Sequence, residues 1–88
     1  MTDKPFISVV IPLYNKEKSI AQSLQSVLNQ SYTDFEIVVV DDGSTDKSVE
    51  IVEGIEDARL KLFKQPNAGP SKARNTGVGH ASGEWIVF

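Results

Sequence analysis

Glu36-Ile37-Val38-Val39-Val40-Asp41-Asp42-Gly43-Ser44 is a short stretch, apolar and β-branched from Ile37 to Val40, that breaks off into two carboxylates, a glycine and a hydroxyl. A run of this length bounded by turn residues reads as a strand buried on both faces, as in a parallel sheet covered by helices. In open parallel sheets, ligands sit outside the carboxyl ends of the strands. Asp41 and Asp42 fall there. Successive strand residues point to opposite faces, so the two carboxylates divide between two jobs, one facing a ligand and the other tying down a neighbouring turn.

Upstream, Phe6-Ile7-Ser8-Val9-Val10-Ile11 is a first strand that stops at Pro12, with Leu13-Tyr14-Asn15 as its exit turn. Asn15 is the expected N-cap of a helix whose apolar face is Ile20, Leu24, Val27 and Leu28. After the acidic turn, Ser44 or Thr45 is expected to cap a second helix carrying Val49, Val52 and Ile55, flanked by Ile51. A third strand follows over residues 60–63. Asn67-Ala68-Gly69-Pro70 leads into a third helix with Pro70 at its first position, where a missing N–H breaks no helical bond. That helix is predicted over residues 70–81, closing at Gly83, before Trp85-Ile86-Val87-Phe88 begins a fourth strand. The order β-α-β-α-β-α-β, with right-handed crossovers, predicts an open parallel α/β sheet with helices on both faces. The apolar run from Trp85 to Phe88 at the end of the chain reads as the mark of an excised fragment, because a bare hydrophobic edge invites pairing with another chain.

The 88 residues make one domain at most. A hydrophobic share of 40% with 24% charged residues is ordinary for a globular chain, and a net charge of -3 gives no reason to expect nucleic acid or an anionic membrane as partner. The absence of cysteine excludes a disulfide scaffold and any thiolate metal site. No apolar stretch is long enough to span a bilayer, and Met1-Thr2-Asp3-Lys4-Pro5 lacks the pattern of a signal peptide, so the chain reads as cytoplasmic.

Four motifs then stand in order: Val9-Val10-Ile11-Pro12-Leu13-Tyr14-Asn15, Val40-Asp41-Asp42-Gly43-Ser44-Thr45-Asp46, Ala73-Arg74-Asn75-Thr76-Gly77 and Gly83-Glu84-Trp85-Ile86. Together they resemble the amino-terminal half of a family 2 glycosyltransferase with the GT-A fold, a Rossmann-like half-domain, and the resemblance covers nearly the whole chain. It implies transfer of a sugar from a nucleotide-sugar donor, most often a UDP-sugar, to a hydroxyl acceptor with inversion. The acceptor would be a glycan or lipid-linked, in a cytoplasmic or membrane-associated parent enzyme that builds polysaccharide or related glycans. By resemblance, Pro12 and Tyr14 line the nucleoside pocket, Tyr14 packs on the base, and Asp42 accepts a hydrogen bond from the base ring nitrogen. Lys72 and Arg74 match positions of basic residues near the nucleotide, where a cation offsets diphosphate charge. The family's divalent metal, Mg or Mn, is held by an Asp-x-Asp motif that would follow the fourth strand, and its catalytic base lies further on. The resemblance thus places no catalytic residue and no metal ligand among these residues, and implies a nucleotide-binding half that is inactive alone. It also implies strand order 3-2-1-4, which gathers Pro12, Tyr14 and Asp42 near the switch between the first and fourth strands.

Plainer readings stand beside these. Asp41, Asp42 and Gly43 could form only an Asx turn, and Asp41 is favoured as structural. Tyr14 alone would be a packing residue. Lys72 and Arg74 could be a solvated helix face, and Asn75 could bond to the loop at residues 67–69. The glycines at 77, 79 and 83 do not make a dinucleotide fingerprint, because they close a helix instead of opening one. His80, the only histidine, has no companion ligand for a metal. Asn29-Gln30-Ser31 matches a glycosylation acceptor, read as chance without a secretory signal. A phospho-receiver domain would need an Asp at the end of the third strand, where Leu62-Phe63-Lys64-Gln65 offers none. A non-catalytic interaction module, pairing or dimerising through the Trp85 to Phe88 edge, is the remaining alternative.

Overall fold

Seven elements alternate along the computed structural model: β1 (Ile7–Leu13), α1 (Ile20–Leu28), β2 (Phe35–Asp41), α2 (Ser48–Glu53), β3 (Leu60–Lys64), α3 (Pro70–His80) and β4 (Trp85–Val87). The structure describes residues 6–88; the opening five residues, read above for leader character, lie outside it. The four strands pair in parallel in the order β3-β2-β1-β4, as expected. All seven residues of β2 are buried, because it is the strand with a full-length neighbour in β1, a second neighbour in β3, and helices on both faces.

The alternation of β2 divides the core in two. Phe35, Ile37 and Val39 face α1 and α2, where they pack with Leu13, Ile20, Leu24 and Val52. Val38 and Val40 face α3 and meet Val10 and Ala73. The second layer is thin because α3 presents its small residues, Ala73 and Gly77, to the sheet. A Cβ on Gly77 would collide with the Val10 side chain, so only glycine allows this helix so close to β1. His80 closes α3 by stacking flat on Phe63 of β3, ring centroids 3.8 Å apart.

Three sequence expectations are corrected. β1 does not stop at Pro12 but runs through it to Leu13. The Leu13 carbonyl accepts the Asp42 N–H at 2.8 Å, so by alternation the backbone of Pro12 faces the β4 side, where pairing ends at Val9 with Val87. No ladder bond is therefore lost to the missing N–H. Asn15 does not cap α1: that helix starts at Ile20 after Ser19, and Asn15 itself is left-handed, with φ 50°. Nor do Ser44 or Thr45 cap α2, which begins at Ser48, where the Asp46 carboxylate accepts the Ser48 N–H at 2.9 Å.

At the amino-terminal ends of the strands, a buried carboxylate knots the sheet. Glu36, 3% exposed, accepts from the Ser8 hydroxyl at 2.6 Å, the Lys61 ammonium at 2.8 Å, and the backbone and hydroxyl of Ser82 at 2.7 and 3.0 Å. One side chain thus joins β1, β2, β3 and the α3–β4 turn. Nothing in its sequence neighbourhood signals this, since its partners lie up to 46 positions away.

Candidate functional site

At the opposite, carboxyl-terminal end of the strands lies a cleft of about 360 Å³, lined by Pro12, Leu13, Tyr14, Lys16, Asp42, Asn67, Gly69 and Pro70. Three segments build it: the β1–α1 loop, the end of β2 and the β3–α3 loop. The first is clasped to the turn between β2 and α2, side chain to backbone in both directions. Asn15 Oδ1 accepts the Thr45 and Asp46 N–H groups at 2.8 and 3.3 Å, while the Asn15 N–H donates to Ser44 Oγ at 3.0 Å. The Lys16 N–H donates to Ser48 Oγ at 2.8 Å, and the Glu17 N–H to the Asp46 carboxylate at 3.1 Å. These loop backbones have no ladder partner, so polar side chains satisfy them instead. Asn15 is apt for this, because asparagine tolerates the left-handed region.

Asp41 and Asp42 point apart, as strand alternation requires. Asp41, 4% exposed, accepts the Ser44 N–H at 3.2 Å through one oxygen, and its other oxygen, Oδ1, is buried without a partner. Asp42 turns to the cleft and to the β3–α3 loop. Its Oδ1 accepts from the Gln65 side-chain amide at 2.9 Å and the Ala68 N–H at 2.8 Å; its Oδ2 accepts the Gly69 N–H at 2.9 Å and lies 3.3 Å from the Asn67 side-chain amide. The Gln65 amide, then the Ala68 and Gly69 N–H groups, hold this carboxyl below the usual aspartate value against the opposing pull of burial. It is therefore an ionised, acceptor-only group at the cleft wall. Gly43 sits beneath at φ 79°, where a Cβ would meet the Asn67 backbone nitrogen at 2.9 Å, so the turn and the loop need glycine to touch.

The structure brings Pro12, Tyr14 and Asp42 together around one cavity. Tyr14 is 46% exposed, so it stands at the cleft mouth instead of covering the core. Lys72 and Arg74 are exposed on α3, flanking the buried Ala73, and neither lines the cleft. Asn75 is exposed and makes no side-chain hydrogen bond among the described residues; the neighbouring Thr76 is the one that reaches the loop, donating its hydroxyl to Gln65 Oε1 at 2.6 Å. The sequence reading left out Lys16, Asn67, Gly69 and Pro70 as cleft residues and Gln65 as a partner of Asp42. Asn67-Ala68-Gly69-Pro70 carried a usable signal, a turn-forming string after a strand end, which is where α/β ligand sites collect.

Among the described residues, no group of three or more His, Asp or Glu side chains comes together to hold a metal ion. These residues do not by themselves make a site for the divalent ion that the resemblance implies, whose ligands it places outside them.

A glycosyl transferase family 2 model matches residues 8–88. The chain belongs to that family. A Haemophilus influenzae protein named as an uncharacterized glycosyltransferase is 49% identical over 87 residues, which are 96% of this chain and 35% of that protein. The glycosyltransferase GlyA of Streptococcus pneumoniae is 45% identical over 84 residues, 93% of this chain and 12% of GlyA. The chain thus spans about a third or less of these relatives. Among solved structures, S. aureus TarS in complex with UDP superposes with a TM-score of 0.88 at 40% identity, covering 94% of this chain and 26% of that one. The mannosyltransferase PcManGT from Pyrobaculum calidifontis, in complex with GDP-Man and Mn2+, gives 0.85 at 34% identity over 97% of this chain and 27% of that one. The family 2 chain has the fold of the GT-A glycosyltransferases.

Proposed function

We propose that this chain forms the nucleotide-selecting half of a glycosyltransferase that moves a sugar from a UDP-sugar donor to a hydroxyl of a glycan or lipid-linked acceptor, with inversion. The observation that carries the reading is the Asp42 carboxylate, ionised and set in the wall of a cleft whose mouth holds an aromatic ring. A carboxylate that can only accept is matched by a base presenting a ring N–H. Uracil N3–H and guanine N1–H are such donors, whereas adenine N1 and cytosine N3 are acceptors, so those bases can offer Asp42 only an exocyclic amino group. The nucleotides held by the two solved neighbours, UDP and GDP-Man, both belong to the N–H class. Tyr14 supplies a face for the base, and Pro12 and Pro70 stiffen the walls on either side.

In this reading Lys16, at the cleft lining, and Lys72 and Arg74, on the exposed side of α3, meet the diphosphate or the base edge once the nucleotide is seated. Selection of the donor is the work of these residues, and the transfer step belongs to side chains outside them, so the 88-residue chain does not turn over donor by itself.

The test is amide NMR of labelled protein titrated with uridine, guanosine, cytidine and adenosine diphosphates. UDP is expected to shift the Tyr14, Asp42 and residue 67–70 signals, with adenosine and cytidine diphosphates acting only at far higher concentrations. Asp42→Asn, which puts a donor in place of an acceptor, is expected to abolish the UDP response. A folded chain unmoved by all four nucleotides sinks the proposal and favours the interaction module, for which the exposed Trp85 and Phe88 are the specific observation.

A further inference from the structure

The chain of hydrogen bonds behind Asp42 has only one chemically consistent direction. An ionised Asp42 can only accept, so Gln65 must turn its NH2 toward Oδ1, at 2.9 Å, and its carbonyl oxygen away. That carbonyl oxygen lies 2.6 Å from the Thr76 hydroxyl, which therefore donates to it. The Gln65 backbone is pinned in turn, its N–H donating to the Asp41 carbonyl at 2.9 Å. Asp42 thus sets which way the Gln65 amide faces, and Thr76 anchors the end that faces away. Without the hydroxyl, the Gln65 carbonyl oxygen loses its partner and the side chain is free to swing off Oδ1.

The two Asp42 oxygens are not equally filled. Oδ1 takes both Gln65 and Ala68, which saturates it. Oδ2 takes Gly69 at 2.9 Å and a long contact from Asn67 at 3.3 Å. The Asn67 amide has a better bond elsewhere, to the Asp42 backbone carbonyl at 2.9 Å, and can give up the long one. Oδ2 is then the atom with acceptor capacity left to offer.

We infer that Thr76, acting through Gln65, is a positioning residue that occupies Asp42 Oδ1 and so leaves Oδ2 as the acceptor that discriminates ring N–H bases from the rest. The inference rests on the nucleotide-binding reading above and adds to it the two residues that set the discrimination. Neither residue lines the cleft, and Asp42 is the cleft residue that the Gln65 side chain bonds.

The test uses the 88-residue chain with Thr76→Val, which deletes the hydroxyl at nearly constant volume, and Thr76→Ser, which restores it. Without ligand, the wild-type Gln65 side-chain amide signals are expected to stand apart from those of the exposed Gln22 and Gln25, and to join them in Thr76→Val. With ligand, Thr76→Val is expected to bind UDP about tenfold more weakly, the scale of one misplaced hydrogen bond, with CDP binding unchanged, so that the preference for uracil falls by the same factor. Thr76→Ser should recover both readouts. Gln65 signals that do not move in Thr76→Val, an unchanged UDP preference, or a serine variant no better than valine overturns the inference alone. A wild-type chain that binds no nucleotide, with Gln65 signals still standing apart, overturns the nucleotide reading and with it the discriminating role, leaving only the hydrogen-bond relay.

Discussion

Glu36 shows how a single buried carboxylate can control the acid limit of the fold. Burial pulls its pKa upward, but bonds from Lys61, Ser8 and Ser82 outweigh that and hold it at about 2, against an ordinary value of 4.5. A group depressed in the folded state stabilises fully above its unfolded value and loses that contribution as pH falls through the folded one. The Glu36 contribution is therefore complete above 4.5 and fades between 4.5 and about 2. Asp57 shares the lower part of that window: bonds from the Arg59 side chain and backbone bring it from 3.8 to about 2. Urea denaturation at stepped pH should show stability falling through this range. Glu36→Gln should flatten the fall without abolishing it, because Asp57 remains, and should lower stability at neutral pH by about 1–3 kcal/mol through the disturbed buried network. An acid limb identical in slope for mutant and wild type would contradict the assignment.

At the scale of elements, the two layers of the sheet are built on different terms. The α1 and α2 layer is held by branched and aromatic side chains, the α3 layer by close approach over Ala73 and Gly77. Alanine is the better helix former, so helix propensity alone favours Gly77→Ala by about 1 kcal/mol. Contact decides otherwise, because the added methyl collides with Val10, a fully buried residue with nowhere to move. Overpacking of this kind costs about 1–3 kcal/mol. Gly77→Ala should lower the urea midpoint with m unchanged, and Val10→Ala in the same chain should recover part of the loss. A Gly77→Ala variant as stable as the parent would mean that α3 can lift off the sheet at no penalty.

For the whole molecule, the open side of the sheet is the dominant feature. β4 pairs with β1 on one edge and has no strand on its other edge among the described residues, while Trp85 and Phe88 stand 62% and 64% exposed. Such an edge recruits partner strands. Sedimentation at rising concentration should show the average mass climbing above the 9.7 kDa monomer. The Trp85 N–H donates to the carbonyl of Phe6, just before β1, so by alternation the Ile86 N–H faces the open edge. Ile86→Pro removes that donor without breaking a β1 bond and should keep the chain monomeric. A wild-type monomer at every concentration would show that the edge is too short to pair.

The apolar run at residues 37–40, the alternation of elements and the turn strings between them were enough to establish a parallel α/β sheet, and the family motifs supplied its strand order. These features are local or ordered along the chain, and β-branched periodicity reports directly on burial. Tertiary structure alone decided that Asn15 braces the acidic turn instead of capping a helix, that Lys16 and Asn67 share a cleft with Tyr14, and that Thr76 reaches Asp42 through Gln65. Asn15, Asn67 and Thr76 carry short polar side chains, each with a nearby backbone group as an alternative partner. Their actual partners lie 11 to 31 positions away, and spacing along the sequence carries no record of which one the folded chain brings within hydrogen-bond distance.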